Sequence, residues 1–173
     1  MKKLLYVIAV VLCLTACEKS DPTTPDGSTT KGDYVDLGLA SGTLWKTQNE
    51  ELSYDYYNLF DYKTAVAQFG DNMPTKEQWE ELKAYCHWEW NGFYDGYKIT
   101  GPNGKTITLP PAGFRSGSNG QVNAVGQYGF YWSSTLDTEY ENYVWFLNFA
   151  SSYVNVDRGT HSDSYSVRLV RKK

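Results

Sequence analysis

Gly129-Phe130-Tyr131-Trp132-Ser133-Ser134-Thr135 opens, and Ser166-Val167-Arg168-Leu169-Val170 closes, the stretch whose reading decides the fold of this chain. Between them Tyr143-Val144-Trp145-Phe146-Leu147-Asn148-Phe149 alternates with the period of a strand. Trp145, Leu147 and Phe149 fall on one face, Phe146 and Asn148 on the other. Val154 and Val156 continue the inward row and leave Tyr153, Asn155 and Asp157 facing out. The run Asp157-Arg158-Gly159-Thr160-His161-Ser162-Asp163-Ser164-Tyr165 is too polar to make a core, but it offers many hydrogen-bonding groups. Apolar strands with a polar, aromatic-dotted rim point to a binding module. The expected contact residues are Phe146, Asn148, Tyr153, Asn155, Asp157, Arg158, Thr160, His161, Asp163 and Tyr165.

Composition sets the frame around this stretch. A chain of 173 residues with 41% hydrophobic content supports one globular domain and a short appendage. Fifteen tyrosines, six tryptophans and fifteen glycines, with several Asn-Gly and Ser-Gly pairs, favour short strands and many turns over a helical bundle. The formal charge is −4, and −6 once Lys2 and Lys3 are removed with the leader described next. An acidic chain with no basic run excludes nucleic acid as the expected partner.

Lys2 and Lys3 precede the apolar run from Leu4 to Leu14. That run is too short for a spanning helix of roughly 20 residues but fits the middle of a secretory signal peptide. It ends in Leu14-Thr15-Ala16-Cys17, which resembles the lipobox of bacterial lipoproteins. The resemblance implies a signal peptide over 1–16, palmitate-type acylation at Cys17 and an outer-membrane lipoprotein exposed at the cell surface. Residues 18–32 hold Asp-Pro, Thr-Pro, Asp-Gly and Ser-Thr-Thr, and read as a flexible tether. Cys13 leaves with the leader and Cys17 carries lipid, so only Cys86 belongs to the domain over 33–173. A disulfide, a thiolate zinc cluster and a paired-cysteine redox site are all excluded by that count. Cys86 itself reads as a small buried hydrophobe.

Within the domain, Tyr34-Val35-Asp36-Leu37 and Thr43-Leu44-Trp45 form a first strand pair with Leu37, Leu44 and Trp45 in the core. Tyr54-Asp55-Tyr56-Tyr57 lies in an acidic, tyrosine-rich loop, where the rings either pack half-buried or stack on sugars. Asp61 caps a helix whose apolar residues are Tyr62, Ala65, Val66 and Phe69, and Gly70 ends it. A second helix starts at Pro74-Thr75-Lys76-Glu77-Gln78-Trp79 with a Thr75/Gln78 capping box. It buries Trp79, Leu82 and Cys86, with His87 packed or half-exposed near its end. Glu77, Glu80 and Glu81 read as solvated charges favoured by the helix dipole, not as paired catalytic acids. Tyr97-Lys98-Ile99-Thr100 and Thr106-Ile107-Thr108-Leu109 flank Gly101-Pro102-Asn103-Gly104 as a hairpin. Trp132 is expected in the core.

The ordered motifs Tyr34-Val35-Asp36-Leu37-Gly38-Leu39, Ser41-Gly42-Thr43-Leu44-Trp45, Met73-Pro74-Thr75 with Gln78-Trp79, Gly101-Pro102-Asn103-Gly104, Leu109-Pro110 with Ala112-Gly113, Tyr131-Trp132-Ser133-Ser134 and Ser166-Val167-Arg168 resemble one family. That family is the Fibrobacter succinogenes major paralogous domain of Bacteroidetes lipoproteins, similar to the formylglycine-generating branch of the C-type lectin-like fold. The resemblance covers 32–171 and departs from the family over 46–72. It implies an irregular α+β domain with small antiparallel sheets, two flanking helices, many loops and terminal strands that meet. Catalysis does not carry over, because formylglycine-generating enzymes need a cysteine pair; the chain is expected not to be an enzyme and to use no cofactor or metal. The Glu-Pro-Asn and Trp-Asn-Asp motifs of calcium-dependent lectins are missing. The polar run 157–165 is also similar to the diversified segments of retroelement-varied lectin-like proteins.

These readings converge on an envelope-anchored binding or adhesion module with a glycan or protein ligand. The alternatives are a structural subunit of a fimbria-like surface assembly and, third, an enzyme using His161 as a base. An exposed donor strand or a large apolar patch would favour the structural subunit, and the sequence displays neither.

Overall fold

The computed structural model describes residues 33–173. The signal peptide, Cys17 and the tether lie outside the described residues. From the first strand the chain runs β1 (Tyr34–Asp36), β2 (Thr43–Lys46), β3 (Phe60–Asp61), α1 (Tyr62–Phe69), a 3₁₀ turn (Gly70–Asn72) and α2 (Lys76–Tyr85). It continues through β4 (His87–Trp90), β5 (Tyr97–Thr100), β6 (Thr106–Leu109), β7 (Phe114–Arg115) and β8 (Val122–Asn123). The long strands β9 (Gly129–Leu136), β10 (Tyr143–Ala150) and β11 (Tyr153–Thr160) follow, and then β12 (Ser164–Tyr165) and β13 (Val170–Lys172). The result is a mixed α+β domain, mostly β, with two helices and four small sheets whose paired strands are antiparallel.

The sheet ordered β1-β2-β13 joins the two ends of the domain, because Val170 pairs with Trp45 while Val35 pairs with the same residue from the other side. Beside it stands the sheet β11-β10-β9, where a two-residue turn at 151–152 joins β10 to β11 in continuous antiparallel register, while the β9–β10 pairing shifts register between Val144 and Phe146. Strand alternation puts Tyr131, Leu147 and Phe149 into a core with Trp45, Trp79, Leu82, Ile99 and Leu109. The opposite face puts Trp132, Val144 and Phe146 into a second core with Phe60, Tyr62, Ala65, Tyr165 and Val167. β9 and β10 are therefore buried on both faces, which their near-continuous apolar sequence requires.

Local signals explain both helices. Asp61 accepts from Thr64 N at 2.9 Å as the N-cap of α1, which ends at Gly70. Tyr62 and Ala65 face the core, while Val66 is exposed. At α2 the capping box is complete: Thr75 Oγ1 accepts from Gln78 N, and Gln78 Oε1 accepts from Thr75 N at 2.8 Å. Trp79 and Leu82 are buried, and Cys86 is the half-buried C-cap. The helix stops there, and His87-Trp88-Glu89-Trp90 becomes β4, paired with β5. Trp88 and Trp90 pack on the core and His87 is exposed, not packed at a helix end. The hairpin forms with Thr100 opposite Thr106. Gly104 N donates to Gly101 O and Gly101 N to Lys105 O, so Pro102-Asn103 make the corner and Gly104, at φ 82°, takes the left-handed residue after it.

Candidate functional site

The expected site residues divide into four groups. Phe146 and Asn148, each 8% exposed, and Tyr165, 6% exposed, are buried, which corrects their placement on the display face. The parity of β10 is as expected, but the second face meets another core. Tyr165 stacks on Trp132 at 4.1 Å and on Phe130 at 5.0 Å, and Phe146 packs edge-on against Tyr165 at 5.3 Å. Arg158 is a different correction. It stands opposite Trp145, on the face that carries Val154 and Val156, so it does not share the row of Tyr153, Asn155 and Asp157. Its guanidinium donates to Asp137 at 2.7 Å and Glu139 at 2.9 Å and lies 4.8 Å from the Tyr140 ring. Asp163 is half-buried and accepts from Gly117 N at 3.0 Å, fastening the loop after β7 to the loop before β12. Tyr153, Asn155, Asp157, Thr160 and His161 are exposed, with the His161 ring stacked on Tyr62 at 5.8 Å.

Sequence reasoning missed the larger concavity beside this row. Phe93 and Tyr94, 67% and 95% exposed, stand with Pro110, Pro111, Ala112, Val125, Gly126 and Gln127 around an open groove of about 740 Å³. The groove has a built floor: Gly126 N donates to Pro111 O at 2.7 Å, Gly113 N to Tyr128 O at 2.9 Å, and Gln127 N and Tyr128 N both to Ala124 O. Ala124 holds φ at 59°, a conformation that a residue with a Cβ keeps only where its surroundings enforce it. Phe93 lies over Gly126, where an added Cβ would come 3.5 Å from the Phe93 Cβ. Tyr128 continues the aromatic band to β11: burial, and after it the neighbouring Tyr128 phenol, push the Tyr153 phenol up. The signal was present in Phe93-Tyr94 and Pro110-Pro111, but no periodicity brings those segments together.

A separate polar pocket of about 360 Å³ lies between the tyrosine-rich loop, α1 and β12, lined by Leu52, Tyr54, Asp55, Leu59, Phe60, Asp61, Thr64, Arg115 and Ser164. The loop is pinned from within. Leu52 N donates to Asn58 Oδ1 at 2.8 Å, Asp55 accepts from Tyr57 N, Leu59 N and Arg115 Nη2, and Asn58 adopts φ 55°. Burial pushes the Asp55 carboxyl up, but the bonds from Arg115, Tyr57 and Leu59 outweigh it and leave it below its ordinary value. The Cys86 thiol is pushed up to about 11 by burial and then by Glu81, which removes it from nucleophilic chemistry at neutral pH. Among the described residues no cluster of three or more His, Cys, Asp or Glu is placed to hold a metal ion.

Fold and surface together define a small α+β domain with a preformed aromatic groove and a polar pocket. A family model described as a domain of unknown function, DUF8237, matches residues 95–170, from the start of the β5–β6 hairpin into β13. No curated protein and no solved structure matches the chain.

Proposed function

We propose that this chain is an envelope-anchored binding or adhesion module of C-type lectin-like architecture, related to the Fibrobacter succinogenes major paralogous domain. On this reading Cys17 carries the lipid and 18–32 is the tether. The ligand lies across the Phe93/Tyr94 groove and onto Tyr153, Asn155 and Asp157. The observation that carries the reading is the groove itself. Large apolar side chains left exposed around a concavity of this size are a binding feature, because a monomer gains nothing from presenting them to water. The meeting of β1 and β13 on β2 supports the architecture.

The second reading, a subunit of a surface assembly, gains support from the same groove and from β11, an eight-residue strand at the edge of its sheet. One experiment separates the two. The purified chain is applied to glycan and protein arrays, and its oligomeric state is measured alongside. Array binding that Phe93→Ser and Tyr94→Ser abolish supports the module. Self-association lost in the same variants, without array binding, supports the subunit. Unchanged behaviour in both removes the groove from either role.

A further inference from the structure

We propose that the polar pocket beneath the tyrosine-rich loop is a site for one neutral hexose unit, independent of the groove. A pyranose ring has an apolar C–H face and an edge of hydroxyls that both donate and accept. The pocket offers the complement of each. Tyr54, 79% exposed, stands at its mouth as a ring against which the C–H face can lie, and Leu52, Leu59 and Phe60 supply apolar wall. The polar wall is fixed before any ligand arrives. Asp55 is clamped on Oδ1 by Arg115 Nη2 at 2.7 Å and Tyr57 N and on Oδ2 by Leu59 N at 3.2 Å, so Oδ2 is held still with a lone pair left to accept. Asp61 is held by Thr64 N at 2.9 Å and Thr64 Oγ1 at 2.7 Å. Ser164 is carried between them, because β12 pairs with Asp61 on one side and Arg115 on the other.

Charge decides which sugar. Two carboxylates, Asp55 and Asp61, and one guanidinium, Arg115 in ion pair with Asp55, line the pocket, so an acidic sugar meets net repulsion while neutral hydroxyls meet fixed acceptors without penalty. A pocket of about 360 Å³ takes one ring, not a chain of them. Preorganisation limits what ordering the site costs, since the loop is already tied to Asp55 and Asn58.

The test titrates the full chain in mild detergent with a panel of neutral methyl hexopyranosides and a methyl glucuronide, followed by NMR. The expected result is saturable binding of at least one neutral hexoside, with Kd on the order of 1 mM for a single ring, and weaker binding of the glucuronide. Tyr54→Ala, at an exposed position, is expected to keep the melting temperature and weaken binding about tenfold. Asp61→Asn retains an N-cap, so it is expected to keep the fold while narrowing the gap between glucuronide and neutral sugar. Tyr85→Ala, at an exposed position of α2 outside both the pocket and the groove, is the control and is expected to change nothing here. Saturable binding by none of the neutral hexosides, tighter binding of the glucuronide than of any neutral hexoside, or insensitivity to Tyr54→Ala would each overturn the proposal, and none of these outcomes bears on the groove.

Discussion

Tyr165 and Tyr153 show how far one residue's surroundings outweigh its type. Tyr165 is stacked between Trp132 and Phe130, whereas Tyr153 stands at the solvent side of β11. Truncating the first opens a cavity in an aromatic core, and Tyr165→Ala is expected to lower stability by about 3 to 5 kcal/mol. Tyr153→Ala is expected to stay within about 0.5 kcal/mol. Urea midpoints of the two variants check both, and similar midpoints would contradict the burial pattern. At Cys86 the sign of a pKa shift sets a pH dependence. The folded thiol titrates at about 11 against an ordinary 9.0, so the folded state holds its proton more tightly than the unfolded state. That contribution is complete below pH 9.0 and is lost as pH rises through about 11. Alkylation of Cys86 at pH 8, read by peptide mapping, is expected to be slow in the folded chain and fast in urea. Equal rates would mean the thiol is not shielded.

Among the elements, α2 and β9 carry constraints that single substitutions can expose. Removing the Thr75 hydroxyl leaves Gln78 N without its cap, and Thr75→Ala is expected to cost about 1 kcal/mol. Gly129 is tighter, because a Cβ there would fall 2.1 Å from the Phe149 ring, whose place in the core is fixed by Tyr97 and Tyr131. Gly129→Ala is expected to cost about 1 to 3 kcal/mol through overpacking. A thermal midpoint unchanged from the parent in either variant would contradict these contacts. Elements of this kind were legible in the chain because their causes are local: the capping box at Thr75/Gln78, the Asp61 cap and the hairpin about Pro102-Asn103 each sit within a few residues. β4 is also written locally, as the alternation His87-Trp88-Glu89-Trp90, but it begins directly at the end of α2, where the sequence reading set His87 near the helix end and named no strand. What was not legible depends on distant partners. Phe146 and Asn148 lie on the side of β10 away from Leu147, as their spacing says, yet only the packing of Tyr165 and Phe130 over that face makes it a core. The groove and the pocket join segments such as 93–94, 110–112 and 125–127, or 52–61, 115 and 164, whose meeting no sequence period encodes.

At the scale of the whole molecule the decisive contact is the one that joins its ends. β2 is the middle strand between β1 and β13, so Trp45, fully buried, is paired with Val35 on one side and Val170 on the other. Arg168, 1% exposed, closes the same region from within. Its guanidinium donates to Lys46 O, Thr108 O and Asn49 Oδ1 at 2.7 Å, and Asn49 Nδ2 in turn donates to Tyr131 Oη at 3.0 Å. A buried cation held by neutral oxygens is stable only while all of those oxygens stay in place, since a lost partner leaves charge or dipole unpaired. Lys46 N also donates to Leu169 O, so the backbone just beyond Arg168 is tied to the strand that its side chain bridges. Deleting Leu169–Lys173 therefore removes more than an edge strand. It strips Val170 and Leu169 from the two cores, uncovers one side of β2 and releases the backbone that positions Arg168. The expected outcome is loss of cooperative urea unfolding, with the near-ultraviolet circular dichroism of the tryptophans collapsed. Deleting Lys173 alone removes only an exposed ion pair with Asp36 and is expected to leave the urea midpoint close to the parent's. A five-residue deletion that still unfolds cooperatively near the parent midpoint would show that the domain is held by β9, β10 and β11 alone, and that the joining of its ends is incidental.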